Sequence, residues 1–288
     1  MWLIAFLVLV IVLLVLIWAA ARSAGAYLLQ ERRGQTIPVE EGEIAIRDKA
    51  PDGFSFRIRV LAPRGPERHR AVILAGPENA RDMADFFRRQ GCYVITAPVR
   101  GMKTKFRGTL GLRESRDLSR IWTVVRDRLP EGTEAGIYGV GVGAAAGILC
   151  ACADDRIRFV AAEAAWPDPD DWVRCQLAMH ALPSWPILGM ARAQAKWLRG
   201  VRYSKVSPRQ ALAGRGGLMT VPLMLIGPAH DPAMPPRMTE ALADAKQGPK
   251  TILLCEEGGA GQAFPADPEG YRAALLAFLE SIDQKESL

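Results

Sequence analysis

Apolar and polar positions divide the chain into three patterns. The first is an unbroken run of 20 uncharged residues from Trp2 to Ala21, WLIAFLVLVIVLLVLIWAAA. A helix of that length covers the roughly 30 Å hydrocarbon core of a bilayer, and Trp2 and Trp18 stand near its ends, where indoles favour the interface. The run therefore predicts a transmembrane helix over 1–21, followed by a polar linker over 22–41. Ala24-Gly25-Ala26 offers small residues for a cleavage site, but the run has no basic leader and is long for a signal peptide, which favours an uncleaved single-pass anchor. No Lys or Arg precedes it, whereas Arg22, Arg32 and Arg33 follow, so the folded domain is expected in the cytoplasm. Three charges set that orientation, and the reverse stays open.

The second pattern is a series of short apolar strands alternating with helices. Residues from Glu43 to Val60 alternate as a hairpin, with Asp52-Gly53 at its turn. Arg70 to Gly76 and Tyr93 to Ala97 read as strands around a helix at Ala80 to Gly91. Arg113 to Leu129 repeats apolar residues at helical spacing and stops before Pro130. Gly136 to Gly139 is a strand that runs into an apolar helix. Phe159 to Ala162, Val221 to Ile226 and Lys250 to Cys255 are further strands, and Tyr271 to Ile282 is a closing helix. Such alternation predicts an α/β domain over 42–288, with a mostly parallel sheet covered by helices on both faces.

The third pattern interrupts the second. Between Trp166 and Leu212 lie four tryptophans, several prolines and no clear strand, so 167–212 is expected to be a helical cap inserted over one end of the sheet. Arg192, Lys196, Arg199 and Arg202 punctuate it at helical intervals. They are either a solvated face or a patch lying on anionic lipid headgroups.

Composition removes several function classes. With 49% hydrophobic and 24% charged residues the chain is globular rather than disordered. The net charge of +6 is spread out, and no basic block interleaved with aromatics suggests nucleic-acid binding. Five cysteines without CxxC spacing suggest neither a disulfide framework nor a zinc site, and Cys150 and Cys152 are expected in the core. No metal or cofactor is expected. His69 and His180 have no partner signature, and His230 is expected on a surface turn.

Working sites of open α/β sheets lie at the carboxyl ends of the strands, and those ends carry the motifs. AVILAGPENA (71–80) has Ala75-Gly76 where an oxyanion loop would begin. YVITAPVRGMKTKFRGTLGLRESRDL (93–118) pairs Arg100-Gly101 with Glu114-Ser115-Arg116-Asp117. IYGVGVGAAAG (137–147) places Gly139, Gly141 and Gly143 at a strand-to-helix turn. VPLMLIGPAHDPAMP (221–235) ends a strand near Asp231, and GGAGQAFPADPEGYRAALLAFL (258–279) holds Gln262 in a glycine-rich loop. In order and spacing these segments resemble the α/β-hydrolase superfamily, over about residues 42 to 283.

The resemblance assigns Gly141 to the nucleophile position of Gly-x-Ser-x-Gly, Gln262 to the histidine and Asp231 to the acid. Gly141 has no side chain to attack an ester, and an amide at Gln262 exchanges no proton near neutral pH. Losing nucleophile and base together typically costs on the order of 10⁶ in rate. The oxyanion region is assigned to Gly76, Pro77 and Val142. Pro77 has no N–H, and a missing donor costs roughly 10²- to 10³-fold. The resemblance therefore implies a membrane-held protein that binds a small molecule, a lipid or a protein without catalysis. Two alternatives stand beside it. One is an active ester or acyl hydrolase with an unorthodox site. The other is a nucleotide-binding protein using the turn from Gly139 to Gly147, although that run opens no first βαβ unit as a dinucleotide fingerprint should. Asp231 has a bland alternative as a turn cap, and Glu163, just past a strand, is a second candidate acid.

Overall fold

The computed structural model describes residue 37 and residues 43–76, 80–100, 108–214 and 221–286. The expected anchor at 1–21 and, apart from Ile37, the expected linker at 22–41 lie outside the described residues. Among those described, no helix is long and apolar enough to cross a membrane.

Strands β1 (Ile44–Lys49) and β2 (Ser55–Leu61) form the expected hairpin, antiparallel from Ile44 opposite Val60 to Lys49 opposite Ser55. Gly53 takes φ +87° in its turn, and Asp52 Oδ1 accepts the Phe54 amide at 3.3 Å. Then follow β3 (Arg70–Ala75), β4 (Cys92–Thr96), β5 (Glu134–Val140), β6 (Ile157–Glu163), β7 (Leu223–Pro228) and β8 (Lys250–Cys255). Together they make one sheet in the order β1-β2-β4-β3-β5-β6-β7-β8. β2 runs antiparallel to β4, and every later pairing is parallel.

Parallel neighbours need crossover helices, and these cover both faces. Helix α1 (Ala80–Arg89) joins β3 to β4, α2 (Leu112–Val125) joins β4 to β5, and α3 (Val142–Ala151) joins β5 to β6. The period-2 geometry of a strand sends alternate side chains to opposite cores. Ala71, Ile73 and Ala75 of β3 pack with Leu118, Ile121 and Val125 of α2, whereas Val72 and Leu74 pack with Met83 and Phe87 of α1.

The segment between β6 and β7 is helical, as expected. It contains α4 (Pro169–Met179), α5 (Ser184–Arg199), a 3₁₀ turn at Tyr203–Lys205 and α6 (Pro208–Ala213). Helix α7 (Pro236–Ala245) leads to β8, and α8 (Ala263–Ala266) and α9 (Pro268–Glu286) finish the described chain. Two boundaries differ from expectation. β7 starts at Leu223 rather than Val221, because Pro222 has no N–H; the Leu223 amide then donates to Pro249 O at 3.2 Å. The helix expected to reach Leu129 instead tightens to a 3₁₀ turn over Arg126–Arg128.

Candidate functional site

The site begins where β5 meets α3. Gly141 alone makes the turn, at φ +58° and ψ −116°, a conformation that strains any residue with a Cβ. Its amide donates to Glu163 O at 2.9 Å, and its carbonyl accepts the Ala145 amide at 3.0 Å. That second bond opens the helical ladder, so the amides of Val142, Gly143 and Ala144 project from the N-terminus of α3.

Each glycine of the run has a separate physical reason. A Cβ on Gly143 would lie 1.8 Å from the Ala75 carbonyl oxygen, and one on Gly139 would lie 2.5 Å from the Gly143 carbonyl. Both are forced by close backbone approach of strand and helix. A Cβ on Gly141 would meet no described residue within 4 Å.

The other strand ends converge on it. Asp231 follows β7; its Oδ1 accepts the Ala233 amide at 2.7 Å and its Oδ2 the Ala260 amide at 2.8 Å. Ala260 belongs to the loop before α8 that carries Gln262. A Cβ on Gly261 in that loop would lie 3.3 Å from Val140 Cγ1, so the loop lies against the residue that precedes the elbow. The backbone of Gln262 caps α8: its amide donates to Gly259 O at 2.9 Å, and its carbonyl accepts the Ala266 amide at 3.2 Å. Gly76 ends β3 with φ +67°, and Val142 is the first residue of α3. Pro77 lies outside the described residues. The expected positions 76, 141, 142, 231 and 262 thus belong to strand ends and loops of one edge of the sheet.

Asp231 is a brace in this arrangement. Asp231→Ala is expected to free the Ala260 amide and lower stability by about 1–3 kcal/mol. Hydrogen exchange would show it as lost protection across 258–262, with the β3–β5 amides unchanged.

Glu163, weighed in the sequence only as a spare acid, proves to be the second anchor of the same loop. It is buried at the end of β6, with Oε1 accepting the Ala263 amide at 3.3 Å. Its Oε2 accepts the hydroxyls of Tyr271 at 2.7 Å and Tyr138 at 3.2 Å, and the two hydroxyls lie 2.8 Å apart. Burial, then the neighbouring Tyr138 and Glu163, push the Tyr271 phenol well above the usual tyrosine range, so it stays a donor. Sequence reasoning missed this cluster because its three members come from positions 138, 163 and 271. The available signal was Tyr138 on an otherwise apolar strand.

The Arg100 and Glu114-to-Asp117 motif is structural in the same way. The buried Arg100 guanidinium pairs with Asp117 through Nε, and Nη2 reaches Asp117 Oδ1 at 2.9 Å. Nη1 meets Asp52 Oδ2 at 2.6 Å, and the guanidinium lies over Phe54 at 4.5 Å. Glu114 accepts the amides of Thr109 at 2.7 Å and Gly111 at 3.0 Å, capping α2. A cavity of about 20 Å³ lies between Ala75, Val99, Arg100, Asp117 and Gly143, room for one water.

Over the elbow sits the cap. Trp166 and Trp172 stack at 5.0 Å between ring centroids and belong, with Val142 and Ala260, to one apolar cluster. The indole N–H of Trp166 is buried with no hydrogen-bond partner among the described residues. Arg192 of α5 pairs with Asp170 of α4, Lys196 lies over the Trp197 ring at 5.6 Å, and Arg202 is exposed beyond the helix that Arg199 closes. His230 pairs with Glu256 at 2.9 Å, both exposed, as a surface residue would. Cys150 is buried and Cys152 half-buried.

Solved structures share this fold. The Pyrococcus furiosus esterase PF2001 superposes with a TM-score of 0.64, covering 86% of this chain and 97% of its own, at 15% identity. The α/β hydrolase GrgF from Penicillium gives 0.60 over 83% of this chain and 98% of its own, at 17% identity. The chain has the α/β-hydrolase fold. The same fold places 2,6-dihydroxy-pseudo-oxynicotine hydrolase at a TM-score of 0.61, over 82% of this chain and 67% of that one. In sequence the chain is similar to the uncharacterized protein YqkD of Bacillus subtilis, 27% identical over 176 residues. That match covers 60% of this chain and 56% of the relative, so the chain spans little more than half of the curated relative's length. No protein-family model matches.

Within this fold the turn at Gly141, Asp231 after β7 and the loop that carries Gln262 lie at strand ends.

Proposed function

We propose that this α/β-hydrolase-fold protein binds a small molecule, a lipid or a protein at the carboxyl edge of its sheet without forming an acyl-enzyme there. Gly141 carries the reading. It holds the turn and has no side chain where a nucleophile would project, so no covalent intermediate forms at that position. Asp231 and Glu163 serve as braces for the loop of Gln262, and no base stands at position 262 to receive a proton. The Trp166 N–H, buried without a partner among the described residues, supports a ligand with an acceptor, because leaving a buried donor unmet costs about 1–3 kcal/mol. The proposal includes a single-pass anchor over 1–21 with the domain on the cytoplasmic side, supported by the uncharged run and the arginines that follow it.

A second reading is an active ester or acyl hydrolase whose nucleophile lies elsewhere. It draws support from the neighbours themselves, which bear names such as esterase and hydrolase. The nucleotide-binding reading has less support, since close backbone contacts already account for Gly139 and Gly143.

Hydrolysis of short p-nitrophenyl esters by the purified full chain, with fluorophosphonate labelling in parallel, separates the first two. Wild type is expected at background and unlabelled. Gly141→Ser/Gln262→His is expected to label and to exceed wild type at least about tenfold, a small part of what a complete triad supplies. Adding Pro77→Gly is expected to raise that further by restoring a backbone donor. Labelling and turnover by wild type would overturn the binding reading in favour of the second.

A further inference from the structure

The cap exposes an apolar surface out of keeping with the rest of the molecule. Eight large apolar side chains are exposed among the described residues, and five of them lie between 179 and 198. Trp185 is 86% exposed and Trp197 80%, with Leu198, Met179 and Leu182 at 52%, 49% and 41%. Helix α5 buries Leu188 against Val173 and Leu177 of α4, and Ala195 in the apolar cluster that joins the cap to the domain. At about 100° per residue, Trp197 falls on nearly the opposite side from Ala195. Its ring therefore points away from the core that holds the helix. An indole that finds a cover buries roughly 150–250 Å², so two of them constitute a substantial unmet surface.

Charge identifies the cover. The segment 167–214 contains seven Lys or Arg and three Asp. Each aspartate is engaged within the cap: Asp168 with Arg209, Asp170 with Arg192, and Asp171 with Arg174 at 3.4 Å. The excess is four cations, seven less three. Of the other four, Lys196, Arg199, Arg202 and Lys205, all within eight residues of Trp197, the side chains of Lys196, Arg202 and Lys205 are exposed. Lys196 already lies over the Trp197 ring. Two exposed indoles on a helix with no acidic residue, one of them beside Lys196, in a cap whose aspartates are all paired, match an anionic bilayer surface: rings at the headgroup boundary, cations on the phosphates. A second copy of the chain fits poorly, since it would bring the same cation excess face to face.

The geometry points to the cap as a membrane-docking face, in which Trp185 and Trp197 enter the interface of an anionic bilayer and Lys196, Arg202 and Lys205 contact lipid phosphates. The inference uses the anchor over 1–21 only for proximity, and it is independent of whether the elbow is catalytic.

Hydrogen exchange of the full chain in nanodiscs tests it, comparing phosphatidylcholine alone with a phosphatidylglycerol mixture. Peptides covering 179–200 are expected to exchange about tenfold more slowly in the anionic discs. Trp185→Ser/Trp197→Ser, and separately Lys196→Glu/Arg202→Glu, are expected to abolish that difference. Both pairs are exposed, so exchange in the β3–β5 core is expected to stay unchanged and report an intact fold. Equal exchange in the two lipids would overturn docking. So would slowing that appears without lipid and grows with protein concentration, which would assign the face to a second copy, or slowing that needs an added acidic protein. Co-elution of the Trp185→Ser/Trp197→Ser variant with the discs reads the anchor separately, so failure of the two ideas is distinguishable.

Discussion

Gly143→Ala is expected to abolish stable folding, whereas Gly141→Ala, two residues earlier, should cost only about 1–2 kcal/mol. The two positions have the same residue type in the same run and opposite surroundings. A Cβ at 143 would sit 1.8 Å from the Ala75 oxygen and 2.6 Å from its carbonyl carbon. Both atoms are backbone of β3, which pairs with β4 on one side and β5 on the other. Nothing there can move without separating α3 from the sheet, so the loss is expected to exceed about 4 kcal/mol, the range reserved for gross clashes and buried charges. At 141 the added atom has space, and only the left-handed backbone is penalised. Gly141→Ser should likewise lower the melting temperature modestly. Denaturant unfolding followed by circular dichroism measures all three. Equal losses at 141 and 143, or a rise in melting temperature for Gly141→Ser, would contradict the elbow geometry.

Replacing Arg100 by Met is expected to destabilise the domain by about 3–5 kcal/mol, because removing it leaves the buried Asp117 charged without its ion-pair partner. Arg100 ties the hairpin turn at Asp52 to α2 at Asp117 and covers Phe54. The sign of the pH dependence follows from the two carboxylates. The Arg100 hydrogen bond holds Asp52 below the usual carboxylate range, so its contribution is present above that range and is lost as pH falls through it. Burial holds Asp117 above that range despite Arg100, so its ionisation opposes folding as pH rises. Burial alone would lower the Arg100 guanidinium, but its bonds to Asp117 and Asp52 outweigh it and the group is held above its ordinary value. Without Arg100 the buried Asp117 becomes a liability when charged, whereas Asp52 keeps its pair with Arg113. The deficit of Arg100→Met is therefore expected to be largest near neutrality and to shrink as the pH approaches the carboxylate range. A deficit that grew on acidification would show that the network is organised by something other than this charge.

Several features were legible before any coordinates. The hairpin, the parallel strands and their order along the chain follow from alternation, apolar runs and Gly or Pro punctuation, which are local properties. The strand-to-helix turn at Gly141 was legible through the resemblance of its glycine run to the hydrolase elbow, beside a dinucleotide-binding alternative. The helical nature of 167–212 was legible as a break in pattern. The boundary of β7 moved by two residues because Pro222 removes a donor, an effect that apolar counting does not weigh.

What the sequence determined by itself is therefore chemical and local. Position 141 has no nucleophile, position 262 has no base, and the strands and helices follow in an order that only a covered parallel sheet satisfies. What the tertiary structure decided is which groups meet. Tyr138, Glu163 and Tyr271 form one hydrogen-bonded cluster, Asp231 and Glu163 pin the two ends of one loop, and Arg192 is taken up by Asp170 while Trp185 and Trp197 are left facing outward. The physical reason is range. Periodicity and turn chemistry act over a few residues, whereas burial and ion pairing depend on contacts between segments up to a hundred or more residues apart, which only the closed sheet and its cap bring together.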